Sequence, residues 1–311
     1  MKAVRTRSFL CALLLGAVAL STTGCLSGIK EPYSLEERIP VMEDSLSRTV
    51  RYADGFASDL CVVEDEGSFD ENYVTSEAAA LFDVSDRETL YSKEAFERLY
   101  PASITKVMTA LVAIKNGDLN ARVVVTDDAV ITESGATLCG IEPGDTLTLE
   151  QLLYGLMLPS GNDAGAAIAV HIAGSIDKFA DMMNRKAVEL GCGDTCFVTP
   201  NGLDAEDPES GKIHSTTAED LARILRYCIL FSPAKNEFLA ITRAPSHAFS
   251  DLSGMRTFSC VNHNALLTSM EGAVSGKTGF TGKAGYCYVG AVKKGEKFFI
   301  MALLGCGWPP H

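Results

Sequence analysis

Strand-forming sequence stands at both ends of the patterned part of this chain and helix-forming sequence stands between, an order that restricts the fold more than composition does. Ala78 to Phe82 and Thr89 to Tyr91 read as a first hairpin. Gly285-Tyr-Cys-Tyr-Val-Gly-Ala-Val292 and the apolar run from Phe298 to Leu304, separated by the turn sequence Lys293-Lys-Gly-Glu296, read as a last one. From Ser103 to Ser232 helical periodicity dominates. Strands and helices segregated in this way point to an α+β fold, not to alternating α/β units. Residues 73–311 suffice for one domain with a sizeable core.

Three short segments carry reactive side chains. Ser103-Ile-Thr-Lys106 is the first. The pattern alone selects nothing, because Ser175-Ile-Asp-Lys178 and Ser232-Pro-Ala-Lys235 repeat it. Ser103 is set apart by its place after Pro101-Ala102 and at the head of an apolar-periodic run (Ile104, Val107, Met108, Leu111, Ile114) that closes at Asn116-Gly117, a helix with start and stop signals. Three residues apart, Ser103 and Lys106 share a face, so the amine can reach the hydroxyl. Lysine serves as a base only if its pKa is lowered, which burial and a second cation favour; Lys277 is the candidate cation. Amide hydrogens at the helix start favour a developing oxyanion.

Met157-Leu-Pro-Ser-Gly-Asn162 reads as a polar loop between two buried helices, Leu152 to Leu156 and Ala164 to Ala173. There the Ser160 hydroxyl can relay a proton and the Asn162 amide can hold both a carbonyl and the lysine; a plain helix N-cap is the structural alternative. In Ser275-Gly-Lys-Thr-Gly-Phe-Thr281, Gly279 admits a close backbone approach, and Lys277 with Thr278 offers donors to a carboxylate. A phosphate loop is excluded, because the glycine that pattern requires falls on Glu271 and a strand, not a helix, follows.

This trio is the one found in penicillin-binding proteins and serine β-lactamases. Residues from about Val74 to Pro310 resemble the low-molecular-weight penicillin-binding proteins, specifically the D-alanyl-D-alanine carboxypeptidases of peptidase family S11. The resemblance rests on Pro101 to Leu111, Leu153 to Ala164, Thr199-Pro-Asn-Gly-Leu203, His214-Ser-Thr-Thr-Ala218, Asn262-His-Asn-Ala-Leu-Leu267 and Lys277 to Thr281. It implies an antiparallel sheet of about five strands flanked by helices, with the serine where a helical subdomain meets the sheet. It also implies a serine-type hydrolase that removes the terminal D-alanine of peptidoglycan stem peptides without cofactor or metal and is acylated by β-lactams. On this resemblance Ser103 is the nucleophile, Lys106 its base and Ser160 the proton relay. Asn162, Lys277, Thr278, Gly279 and Phe280 bind substrate, with the amides of Ser103 and Phe280 as oxyanion hole. Asp163 and Asn264 are supporting candidates.

Two other readings compete. A class A β-lactamase shares the trio but carries Glu-x-x-Leu-Asn between the second and third motifs, and no such pattern lies between Asn162 and Lys277. A noncatalytic binder of cell-wall peptides or β-lactams is opposed by the intact reactive set. It draws support from the C-terminus: relatives continue into a helix over the sheet, whereas this sequence ends at Gly307-Trp-Pro-Pro-His311, so the resemblance implies a shortened catalytic domain.

Lys2, Arg5 and Arg7 precede the apolar stretch Phe9 to Leu20, too short to be a convincing membrane span and suited to a secretory signal. Ser21-Thr-Thr-Gly24-Cys25 resembles a lipoprotein cleavage site with Cys25 lipidated, and Ala17-Val-Ala19 offers a competing cleavage that frees a soluble protein. The expected organisation is a leader over residues 1–25, a polar acidic tether over 26–72 and the catalytic domain over 73–311, exported and held at the outer membrane face by lipid. Net charge is −13, and removal of the first 25 residues, which hold three cations and no acids, leaves −16. That disfavours nucleic acid and gives no electrostatic attraction to an anionic membrane. Of ten cysteines, Cys287 and Cys306 read as buried core, and the Cys192/Cys196 spacing suits a local disulfide or a metal but lacks a second ligand pair. His214 and His263 read as structural, since Lys106 already supplies a base and no aspartate is paired with either in the local sequence.

Overall fold

The computed structural model describes residues 74–207 and 210–307. The expected leader, Cys25 and the tether lie outside them. The described elements are, in chain order, β1 (Ala78–Asp83), β2 (Glu88–Lys93), a 3-10 turn (Ala102–Thr105), α1 (Lys106–Asn116), β3 (Arg122–Val124), β4 (Thr146–Thr148), α2 (Leu149–Met157), α3 (Asn162–Ala173), α4 (Ile176–Glu189), α5 (Ala218–Arg226), α6 (Lys235–Arg243), β5 (Ser246–Ser250), β6 (Thr257–Val261), α7 (Leu266–Ser269), β7 (Ala273–Thr281), β8 (Gly285–Lys294) and β9 (Lys297–Cys306).

Five strands form one antiparallel sheet in the order β2-β1-β9-β8-β7, as the α+β reading requires. Both expected hairpins are present. The β8–β9 turn is Gly295-Glu296, and Gly295 has φ 62°, a left-handed value that glycine adopts without a Cβ clash. The first hairpin docks on β9, so sequence from both ends of the domain meets in mid-sheet, with Ala78 opposite Leu304. Alternate residues (Ala78, Ala80, Phe82, Val289, Ala291, Ile300, Ala302, Leu304) face one core, where α5 covers the sheet.

Every residue of α1 from Lys106 to Ile114 is buried, so this helix runs through the interior with no polar face turned to water. Its neighbour α3 begins Asn-Asp-Ala-Gly-Ala-Ala, and those small side chains let helices approach closely: a Cβ on Gly165 would lie 3.3 Å from Asn201 Cβ and Leu156 Cδ1. Helix α2 starts with a capping box in which Thr148 Oγ1 accepts from Gln151 N–H and Gln151 Oε1 accepts from Thr148 N–H. In α5 the buried charges are paired locally, Glu219 with Arg223 one turn on, while Asp220 accepts from Thr195 Oγ1 at 2.7 Å and Asp194 N–H at 3.2 Å.

The capping box gives a direct test of this local architecture. Thr148→Ala removes one of its two bonds and is expected to cost about 1 kcal/mol. That lowers Tm by roughly 2–4 °C in a thermal melt. An unchanged Tm would show that the α2 start is held by its tertiary contacts alone.

Candidate active site

The 3-10 turn and the first residue of α1 place Ser103 and Lys106 as expected, Nζ lying 2.7 Å from Ser103 Oγ. Lys106 is fully buried, and its amine also donates to Asn162 Oδ1 at 2.7 Å and to the backbone carbonyl of Asn201 at 2.6 Å. Three segments far apart in sequence therefore converge on one nitrogen. Burial, then the charge of Lys277, push the Lys106 pKa well below the ordinary lysine value, while Asp163 opposes them. The arrangement fits a neutral amine: its two hydrogens satisfy the two carbonyl oxygens, and its lone pair remains for the Ser103 hydroxyl, which then donates to it.

Asn162 opens α3 and is fixed by what surrounds it. Its N–H donates to Thr137 O at 2.9 Å. The neighbouring Asp163, 1% exposed, accepts from the amides of Cys139, Gly140, Ile141 and Ala164 at 2.8 to 3.1 Å, which pins the loop over residues 137–141 against the helix start. The N-cap itself is Gly161, so the N-cap alternative for Ser160 and Asn162 fails. Ser160 has φ 64°, an uncommon value for a residue with a Cβ, and its hydroxyl is buried with no hydrogen-bond partner among the described residues.

On the sheet side β7 is the terminal strand. Lys277 is buried, donates to its neighbour's carbonyl Thr278 O at 2.9 Å, and has its pKa lowered by burial to about 7. Thr278 lies in register with Tyr288 and is half-buried. A Cβ on Gly279 would stand 2.9 Å from Ser103 N and 3.1 Å from Ile104 N, so only a residue without a side chain lets the strand reach the serine's amide. Phe280 follows with its ring exposed and tilted against Tyr286, centroids 4.7 Å apart. Asn264 accepts from Tyr288 OH at 3.3 Å behind the strand.

One contributor was missed by sequence reasoning. It is the Asn201 carbonyl, a backbone atom and therefore invisible to motif search; the signal was Gly202, whose φ of 85° and whose Cβ, 1.9 Å from Ala102 O, forbid any side chain. His214 has the structural role expected of it. Its Nδ1 accepts from the amides of Val198 (2.9 Å) and Thr199 (3.2 Å), so its proton sits on Nε2 and is donated to Thr105 Oγ1 at 2.9 Å. Thr105 in turn donates to Ala102 O at 2.8 Å, bracing the residue before the serine, which itself has φ 49°. Burial, with Lys106 nearby, lowers the His214 pKa to about 3, and no aspartate faces it in these contacts. The described cysteines are all free thiols; Cys287 is buried as expected, but Cys306 is only half-buried, since it ends its strand.

The profile of the peptidase S11 family, D-alanyl-D-alanine carboxypeptidase, matches residues 66–307, and the chain belongs to that family. It is 32% identical to the D-alanyl-D-alanine carboxypeptidase DacF of Bacillus subtilis over 75% of this chain and 58% of that protein. It is 39% identical to DacB2 of Mycobacterium tuberculosis over 66% of each. Against DacA of Escherichia coli identity is 35% over 75% of this chain and 56% of the relative. The chain thus spans between about half and two thirds of the length of these curated relatives. A crystal structure of a D-alanyl-D-alanine carboxypeptidase from Mycobacterium tuberculosis superposes with a TM-score of 0.69 at 33% identity, covering 80% of this chain and 89% of that one. The Streptomyces K15 DD-transpeptidase gives 0.67 at 28%, covering 76% and 91%. Penicillin-recognising architecture is therefore the fold of this domain.

Substituting Gly202 tests the convergence on Lys106. Gly202→Ala meets both the positive φ and the Ala102 carbonyl, so it is expected to lower Tm by several degrees in a thermal melt. A variant with an unchanged melt would refute the close-approach argument.

Proposed function

We propose that this member of the S11 family is a serine-type D-Ala-D-Ala carboxypeptidase that removes the terminal D-alanine from peptidoglycan stem peptides through an ester on Ser103, and that penicillins acylate the same hydroxyl. The observation that carries the reading is the Lys106 amine, buried, depressed in pKa, held by two carbonyl oxygens and 2.7 Å from Ser103 Oγ.

In the proposed sequence Lys106 takes the Ser103 proton as Oγ attacks the carbonyl between the two D-alanines. The amides of Ser103 and Phe280 receive the oxyanion. Ser160, with a buried hydroxyl that has no other described partner, passes a proton to the leaving D-alanine nitrogen. Asn162 holds a substrate carbonyl as well as Lys106. Lys277 and Thr278, on the terminal strand, bind the substrate carboxylate, and an extended peptide lies along that strand as an added one, with Gly279 giving it room. Water then releases the shortened peptide. The domain reading keeps its form as part of the proposal: a leader ending at Cys25, a tether over residues 26–72, the catalytic domain from 73, and lipid attachment outside the cell membrane. Among the described residues no helix is long and apolar enough to cross a membrane.

Intact-mass spectrometry after benzylpenicillin treatment, with D-alanine release from a diacetyl-Lys-D-Ala-D-Ala peptide, tests the assignment. The wild type should gain one adduct and release D-alanine, and Ser103→Ala should do neither. Release by the Ser103→Ala variant would refute the mechanism, whereas a stable adduct without D-alanine release would leave a binder.

The pH profile separates the two lysines. Lys277 binds a carboxylate only when protonated, and in the free enzyme it loses its proton near pH 7. Accordingly kcat/KM should fall as pH rises through about 7, while kcat falls only at higher pH because bound carboxylate raises the lysine's pKa. Lys106 must be neutral, so its protonation sets the acid limb. Lys277→Arg should carry the basic limb upward; a limb that stays in place would remove Lys277 from the role.

A further inference from the structure

Behind Asn162 lies a pair of thiols that the proposed chemistry does not use. Cys139 sits in the loop whose amides grip Asp163, and Cys260 sits on β6, yet their sulfurs are 3.9 Å apart. The two segments are already docked by a second contact set: Arg256, on the approach to β6, donates to Gly140 O at 2.8 Å, next to Cys139, and pairs with Asp145 at 2.5 Å and Glu142 at 3.2 Å. Glycines make the space for the sulfur. A Cβ on Gly155 would lie 2.7 Å from Cys139 Sγ, and one on Gly161 would lie 2.9 Å from Cys139 Cβ. Cys260 is 1% exposed and Cys139 half-buried, so Cys139 is the more accessible residue of the pair and Cys260 the more sheltered one.

We propose that Cys139 and Cys260 are a dithiol–disulfide site, oxidised by exchange with an external low-molecular-weight or protein disulfide, whose closure bolts the Asp163-gripping loop to the β5–β6 hairpin. The step balances as two exchanges. Cys139, as thiolate, attacks one sulfur of the reagent RS–SR; the Cys139–SR bond forms, the S–S bond breaks and RS⁻ leaves. Cys260 thiolate then attacks the Cys139 sulfur, forming the internal disulfide and expelling the second RS⁻. Two electrons pass to the reagent, and the two thiol protons end on two RSH. Closing the gap from 3.9 Å to a bond of about 2.05 Å requires side-chain rotation and a shift of the loop that carries Cys139. The contact with Cys260, then burial, raises the Cys139 pKa, so the thiolate that begins the exchange forms more readily, and the exchange quickens, as pH rises. The bond would close a loop of more than a hundred residues in the unfolded chain, where cross-linking removes most entropy.

The site stands independently of the proposed peptidase activity and is tested without it. Full-length protein is treated with oxidised glutathione under native conditions, alkylated, digested and mapped by mass spectrometry, with a parallel thermal melt. The expected result is a Cys139–Cys260 linked peptide and a Tm raised by roughly 5 °C or more, reversed by dithiothreitol. Cys139→Ser should give neither; should Cys260→Ser fail to fold, the half-buried Cys139 variant still decides. Separate alkylation of both cysteines in a cooperatively melting chain, or glutathione retained on Cys139 without resolution by Cys260, would overturn the proposal.

Discussion

A lysine amine taken fully out of water carries a desolvation penalty of several kcal/mol, and it stays buried only if its partners are in place or its charge is given up. In this domain both conditions meet at Lys106. Asn162 Oδ1 and Asn201 O occupy two directions and Ser103 Oγ a third. Those partners come from the start of α3, from the loop after α4 and from the turn before α1, so the amine can be satisfied only when the helical part has folded around it. The same burial that makes the charged form costly lowers the pKa and favours the neutral amine, whose nitrogen lies 2.7 Å from Ser103 Oγ.

Several strained or crowded positions are arranged around that nitrogen. Ala102 and Ser160 both hold left-handed backbone values that a Cβ disfavours, and each adjoins or supplies a hydroxyl of the proposed site. The strain at Ala102 is braced by Thr105 and through it by neutral His214. Gly202 and Gly279 press on the same turn from opposite segments, and neither position tolerates a side chain. Asp163 does the equivalent on the other side of the site, using one carboxylate to hold four amides and so fixing Asn162. The reactive set is thus held by backbone and by residues outside the three motifs.

Much of this was legible in the chain. The hairpins and the loop at Ser160 follow from periodicity and turn residues acting over a few positions and appear where the pattern places them; the helix read as opening at Ser103 begins as a 3-10 turn and becomes α-helical only at Lys106, and the segment around Lys277, read as preceding a strand, is itself a strand. The site is less so. Asn201 acts through a carbonyl, which every residue possesses; His214 lies more than a hundred positions from the threonine it braces. The sequence alone offered Cys192 with Cys196 as a pair, because they are close along the chain, whereas the sulfurs that approach are those of Cys139 and Cys260, separated by 121 positions.

By itself the sequence determined which elements form and which side chains are chemically equipped, since local propensity, alternation and residue type act within a few residues of one another. Only the tertiary structure decided how reactive those side chains are. The pKa of Lys106 is lowered by burial and by Lys277, the tautomer of His214 is set by two amides, and the room at Ser103 depends on Gly279 of a strand far along the chain. Desolvation, charge proximity and close approach are properties of neighbours in space, and those neighbours exist only once the chain has folded.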